Sequence, residues 1–238
     1  MSNLAIITAR GGSKRIPRKN IKEFCGSPII AYSIKAALDS GIFDEVMVST
    51  DDDEIADVAR RFGAKVPFMR SAKTSDDFAI TADVLYEVLQ EYGKRGQTFD
   101  YFCCLYPTAP FVTSKKLRAA FKQFQSSDAD QLVPVVKFSY PPQRAYIMDN
   151  DGFLAYKWPE NYRRRSQDLE AFYHDAGQFY FYRTESFVKS YRNIGGEPFR
   201  TISLLTDDIE VQDIDTLSDW ELAETKYRFL IEHGKLAE

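Results

Sequence analysis

The chain has 238 residues, 44% hydrophobic and 28% charged, with 31 Lys and Arg against 35 Asp and Glu for a formal charge of −4. That composition excludes intrinsic disorder and collagen-like repeats, and the acidic balance removes any global attraction to nucleic acid. No apolar run approaches the roughly 20 residues of a membrane helix and the N-terminus lacks a signal-peptide pattern, so one α/β domain over residues 1–238, cytoplasmic and without a membrane partner, is expected.

In chain order, β-rich apolar runs alternate with helical patterns: a strand at 4–8, a helix at 29–38, a strand at 45–49 and a helix at 55–62. A helix at 82–92, a strand at 101–106, a helix at 114–124 and a strand at 131–136 follow. Between 137 and 172 the alternation stops, and aromatic, proline and charged residues surround a hairpin-like Asp149-Asn150-Asp151-Gly152 turn. This segment reads as an insertion within the domain. Strands at 178–182 and 201–205, a short one ending at 213–215, and a last helix with Trp220, Ala223, Tyr227, Leu230 and Ile231 as its apolar stripe complete the chain. The alternation predicts a Rossmann-like, mostly parallel sheet with helices on both faces.

Cys25, Cys103 and Cys104 form neither a paired framework nor a CxxC motif, so they read as reduced thiols. His174 and His233 alone limit any zinc site or Ser-His-Asp triad. His233, at the end of the last helix, has a structural role as its default reading.

The first strand runs into Ala9-Arg10-Gly11-Gly12-Ser13-Lys14-Arg15-Ile16-Pro17-Arg18-Lys19-Asn20, with six Lys or Arg in the thirteen residues from Arg10 to Lys22. Paired glycines admit a polyanion close to backbone N–H groups, cations contact phosphate oxygens, and strand C-termini are where open α/β sheets bind ligands. The alternative is a solvated basic loop. Neither GxxxxGK[ST] nor GxGxxG occurs, so a free triphosphate suits this loop better than a Walker or dinucleotide fingerprint would.

Val211-Gln212-Asp213-Ile214-Asp215 precedes the last helix. In an extended segment Asp213 and Asp215 project to one side while Ile214 turns to the core, and hard carboxylate oxygens suit Mg²⁺; alternatively Asp215 and Thr216 cap the helix. Tyr106-Pro107-Thr108-Ala109-Pro110 leaves the 101–106 strand on the ligand side, or is a connector ending in a Ser114 cap. Arg70 to Asp76 reads as a surface loop or a base-reading wall. His174-Asp175-Ala176-Gly177-Gln178 reads as a turn or the wall of a substrate cavity. Arg163-Arg164-Arg165 is a solvated face or meets an acidic ligand, and Asp51-Asp52-Asp53-Glu54 caps and charges the next helix.

These residues, with Val48-Ser49-Thr50-Asp51, Tyr106 to Pro110, His174 to Tyr180 and Gln212 to Asp215, make the chain resemble the CMP-sialic acid synthetase family over nearly its whole length. The resemblance implies transfer of CMP from CTP to a nine-carbon α-keto sugar acid, a nonulosonic acid. It implies a nucleotide site of Ala9, Arg10, Gly11, Gly12, Ser13, Lys14, Lys19, Asn20, Arg70 and Thr81, with Arg10 and Lys14 also serving catalysis. It further implies Mg²⁺, or Mn²⁺, on Asp213 and Asp215. The sugar would meet Tyr106, Thr108, His174, Asp175 and Gln178, and the 137–172 insertion would form a homodimer, lending Arg165 to the neighbouring site.

Sialic acid synthetases carry Gln where this chain has Tyr106, and an Arg-Pro-Asn-Gly stretch where it has His174-Asp175-Ala176-Gly177. Polar groups built for one hydroxyl or amide reject an analogue that cannot pair with them, so these departures point away from Neu5Ac. Within the family the likeness points to pseudaminic acid, with legionaminic acid and Neu5Ac as alternatives and Kdo behind them. A non-catalytic nucleotide-binding regulator is the competing non-enzyme reading.

Overall fold

The computed structural model describes residues 1–76, 78–193 and 198–236. The elements run β1 (Asn3–Thr8), β2 (Glu23–Phe24), β3 (Ser27–Pro28), α1 (Ile29–Ser40), β4 (Glu45–Ser49), α2 (Asp53–Arg61), α3 (Ala72–Ser75), α4 (Thr81–Lys94), β5 (Tyr101–Leu105) and α5 (Ser114–Gln125). The second half runs β6 (Gln131–Lys137), β7 (Tyr146–Met148), β8 (Leu154–Tyr156), β9 (Tyr173–Asp175), β10 (Phe179–Arg183), α6 (Thr184–Arg192), β11 (Thr201–Leu205) and α7 (Leu217–Glu232).

The main sheet has the order β11-β6-β10-β5-β1-β4, with β9 added along the other half of β6. β1 is parallel to both β4 and β5, pairing Ile7 with Val48 and Leu105. β10 runs antiparallel to β5 and β6, so the mostly parallel sheet is mixed at that point.

The strand period of two divides β1 between two cores. Ala5 and Ile7 pack with Ile30, Ile34, Val58, Phe121 and Phe181 under α1, α2 and α5, while Leu4 and Ile6 pack with Leu85, Val88, Tyr92 and Phe187 under α4 and α6. Burial on both faces explains why β1, β4 and β5 read as continuous apolar runs. A third cluster joins Ile16 and Phe24 to Ile214, Trp220, Ala223 and Leu230, seating α7 beside the loop that follows β1.

Several expectations need correction. Residues 211–215 pair with no strand, because the third cluster holds them by Ile214 rather than by a ladder. Ile231 is half exposed and leaves the α7 stripe, while Trp220, Ala223 and Leu230 are buried. Thr113, not Ser114, caps α5, its side chain accepting from the Lys116 N–H. His174 and Asp175 lie in β9, paired with Val136 and Val135, rather than in a turn.

The inserted segment does form the expected hairpin, β7 against β8. Its turn is tied by Asp149 Oδ1, which accepts from the Asp151 and Phe153 N–H groups, with Gly152 at φ 86°. All three cysteines are free, Cys103 and Cys104 fully buried, and burial pushes the Cys104 thiol up to about 12. Among the described residues no helix is long and apolar enough to cross a membrane.

Candidate active site

The basic loop leaves the C-terminal end of β1 and is fastened at several points. The Ala9 N–H donates to the Ser49 carbonyl at 2.9 Å, and the buried Asn20 amide donates to the Arg10 carbonyl at 2.9 Å. Gly11 N–H donates to Asp51 Oδ1 at 2.9 Å, and a Cβ at Gly11 would stand 2.7 Å from Asp52 Oδ2, so any side chain there would displace the Asp52 carboxylate. Arg18, left-handed at φ 56°, pairs with Asp52 and Glu54 at the N-terminus of α2. Asp52 also caps that helix, accepting from the Ile55 N–H at 3.0 Å.

On its other flank the loop meets the 211–215 segment. Arg15 pairs with Asp215 at 2.7 Å, while Lys19 Nζ donates to the Ile214 carbonyl at 2.6 Å and lies 3.7 Å from Asp215. Ile214 is 1% exposed, as the alternating pattern predicted, and Asp213 is exposed. Thr216, rather than Asp215, caps α7, in a reciprocal arrangement with Asp219. The donor set is two hard carboxylates beside a cationic loop. Among the described residues no third His, Cys, Asp or Glu joins them. Carboxylate oxygens are the hard donors that Mg²⁺ takes, and here Asp215 is engaged by Arg15 and Lys19.

At the end of β1 a cavity of about 230 Å³ is lined by Thr8, Arg10, Arg70, Thr74, Asp76 and Thr81 among others, bringing three of the expected nucleotide residues together. Arg10 donates to the Asp76 carbonyl at 3.2 Å. Arg70 is 9% exposed and donates to the Ser49 carbonyl at 2.6 Å and its Oγ at 3.1 Å. Burial lowers the guanidinium to about 10, partly offset by the charges of Asp51 and Glu87. Glu87 on α4 gathers the opposite wall, accepting from the Ser71 N–H at 2.8 Å, the Ser71 hydroxyl at 2.7 Å and the Thr74 hydroxyl at 2.5 Å. Burial opposes its ionisation, but those donors hold its carboxyl below the ordinary range.

A second group of polar residues adjoins this cavity through Tyr106. Burial raises the Tyr106 phenol, whose ring lies edge-on to that of Tyr180 at 5.6 Å. The Tyr106 N–H donates to the Gln178 carbonyl at 2.9 Å. The Tyr180 hydroxyl donates to Asp175 Oδ2 at 2.8 Å, and the Gly177 N–H donates to Oδ1 at 2.8 Å. Gln178 donates to the Glu210 carbonyl at 2.5 Å, and its buried Oε1 has no hydrogen-bond partner.

The expected residues therefore separate. Arg10, Arg70 and Thr81 share one cavity; Gly11, Gly12, Ser13 and Lys14 form the loop beside it; Lys19 and Asp215 are neighbours. Ala9 and Asn20 are engaged in holding the loop, and Asp175 in holding its own turn. Thr108 is half-buried after β5. His174 is exposed, with Nδ1 2.9 Å from the Asp175 carbonyl and its ring edge-on to Phe138. Arg165 in the insertion pairs with Asp168 at 2.8 Å and is exposed. Arg18, Asp51, Asp52 and Glu87 organise the site, although by sequence Arg18 counts only as a loop cation and Asp51 and Asp52 only as helix charge.

Residues 4–227 of this chain match the cytidylyltransferase family. The chain belongs to that family. It is 43% identical over 229 residues to the pseudaminic acid cytidylyltransferase of Campylobacter jejuni, covering 96% of this chain and 97% of that one. It is 34% identical over 230 residues to the CMP-N,N'-diacetyllegionaminic acid synthase of Legionella pneumophila, covering 94% and 95% of the two chains. A solved CMP:2-keto-3-deoxy-manno-octonic acid synthetase complexed with CTP superposes with a TM-score of 0.69 at 18% identity, covering 98% of this chain and all of that one. That likeness shows the same fold. The cytidylyltransferase thus carries its basic loop, Arg70 cavity and Asp213-Ile214-Asp215 segment beyond the C-terminal end of β1 in a Rossmann-like sheet.

Proposed function

We propose that the protein transfers CMP from CTP to the anomeric hydroxyl of a nonulosonic acid, pseudaminic acid before legionaminic acid or Neu5Ac, releasing pyrophosphate. The observation that carries this reading is the meeting of Arg10, Arg70 and Thr81 in one cavity at the end of β1, in a chain 43% identical to a pseudaminic acid cytidylyltransferase. The anomeric oxygen attacks the α-phosphorus in line, the bond from that phosphorus to the pyrophosphate oxygen breaks, and the hydroxyl proton passes to solvent.

Arg70 and Thr81 orient the nucleoside, while Arg10, Lys14, the Gly12 N–H and the Ser13 side chain grip the triphosphate and offset the charge that grows on the leaving pyrophosphate. Asp213 and Asp215 would hold Mg²⁺ or Mn²⁺, which when bound supplies electrostatic stabilisation of the phosphates. Tyr106, Gln178 and the 174–177 segment form the acceptor side.

The 146–156 hairpin exposes Tyr146, Ile147, Met148, Phe153 and Leu154, apolar surface that supports a homodimer with Arg165 lent to the partner's site. The three free thiols support a reducing, cytoplasmic setting.

The test is pyrophosphate release with Mg²⁺, with CTP, UTP, ATP or GTP paired against pseudaminic acid, legionaminic acid, Neu5Ac or Kdo. Release with CTP and pseudaminic acid is expected, and it is lost in Asp213→Ala without loss of fold. CTP binding with no release for any acid would favour the regulator instead. Sedimentation at micromolar concentration is expected to give a dimer; a monomer would refute the shared site.

A further inference from the structure

Six cations crowd the loop from Arg10 to Lys22, yet three carboxylates stand directly against it at the start of α2. Negative charge beside a triphosphate site weakens anion binding unless it does something else there. What these carboxylates contact is specific. Asp51 takes the Gly11 N–H, and Asp52 packs so tightly on Gly11 that a Cβ would stand 2.7 Å from its oxygen. Asp52 accepts from both terminal guanidinium nitrogens of Arg18, one at 3.0 Å, and Glu54 accepts from one of the same nitrogens.

Arg18 holds an energetically unfavourable left-handed backbone at φ 56°, which persists only where surrounding contacts enforce it. Between the Gly11 and Arg18 contacts lie Gly12, Ser13 and Lys14. Both ends of that stretch are thus clipped to the N-terminal end of one helix.

We propose that Arg18 is a positioning residue rather than a phosphate ligand: paired with Asp52 and Glu54, it holds loop 11–18 in the form that grips the nucleotide. This rests on the function proposed above. The guanidinium charge is neutralised by carboxylates of the α2 N-terminus, so Arg18 acts on CTP through the shape of the loop.

The two roles predict opposite signs for Asp52→Asn. Asparagine keeps the α2 cap, because its side-chain oxygen still accepts from the Ile55 N–H, but it loses the ion pair with Arg18. If Arg18 contacted phosphate, removing a competing carboxylate would tighten CTP binding. In the positioning role, CTP binding weakens despite the lost negative charge, by about fivefold, the scale of a partly exposed bidentate pair.

The experiment is calorimetric titration of the full chain with CTP, alongside KM and kcat for both substrates, for wild type, Asp52→Asn, Arg18→Gln and the double variant. The expected result is weaker CTP binding in each single variant, a double variant no worse than either, and an unchanged KM for the sugar acid. Unchanged or tighter CTP binding in Asp52→Asn, or additive losses in the double variant, overturns the positioning role. Should Asp52→Asn fail to fold, Glu54→Gln takes its place in the same cycle with Arg18→Gln, and the same two outcomes support or overturn the role. A wild-type protein that binds no CTP refutes the proposed function, and this inference with it.

Discussion

Arg70 offers the sharpest separation of function from stability. Its guanidinium is buried and lines the cavity, and burial lowers it to about 10, so the folded protein disfavours the charged form by about 3 kcal/mol. Against this stand two hydrogen bonds to Ser49, worth about 1.5–3 kcal/mol each when the donor is charged. The Ser49 carbonyl also accepts from the Ala9 N–H, so it is not orphaned when Arg70 is removed. Arg70→Met, similar in length and uncharged, is therefore expected to cost no more than about 3 kcal/mol of stability, while CTP binding falls about 100-fold with the loss of its charge-assisted contacts.

The sign with pH follows from the depressed value. The penalty on the cation is borne in full below about pH 10 and eases as pH rises through it, so wild type gains stability relative to Arg70→Met on that alkaline side. Scanning calorimetry across pH and calorimetric titration with CTP measure both quantities. A variant that unfolds yet, where folded, keeps wild-type affinity would show that Arg70 is a structural residue, and the assignment of the cavity to the nucleotide would fail.

Two further predictions concern the scaffold. Phe181 is fully buried with its ring 5.4 Å from Phe121 and 6.1 Å from Phe43, so Phe181→Ala should cost about 3–5 kcal/mol in urea unfolding; a loss below about 1 kcal/mol would contradict the packing. Hydrogen bonding from Arg18 lowers the Asp52 carboxyl below 3.8, so the pair stabilises the fold above that pH and is lost as pH falls below it. Acid unfolding of Asp52→Asn should therefore show a shallower loss of stability on that limb, and identical acid profiles would place the pair outside the folding balance.

Much of the architecture was readable because strand and helix periods differ. Leu4 to Thr8 and Tyr101 to Leu105 are packed on both faces and read as unbroken apolar runs. The direction of β10 was not readable, since pattern carries no sign of chain direction: only the length of the insertion, returning through β9, decides that Phe181 pairs antiparallel with Cys103. The 211–215 segment misled for a related reason. Val211 and Ile214 have strand character, but no neighbour offers a ladder, and the apolar cluster around Trp220 takes Ile214 instead.

At the site, residue types and their order were enough to mark the loop after β1, Arg70 and the Asp213-Ile214-Asp215 segment as candidates, because charge, glycine and hard carboxylates state their chemistry locally. Which of those groups share a cavity depended on tertiary contacts. Arg10, Arg70 and Thr81 come from three separate parts of the chain and converge because β1 and β4 are parallel neighbours and α4 begins above them. The division of labour among the loop cations was decided there too: Arg18 turns to Asp52 and Glu54, and Arg15 to Asp215, partners 34, 36 and 200 positions away in the chain, pairings that only the folded backbone brings within reach.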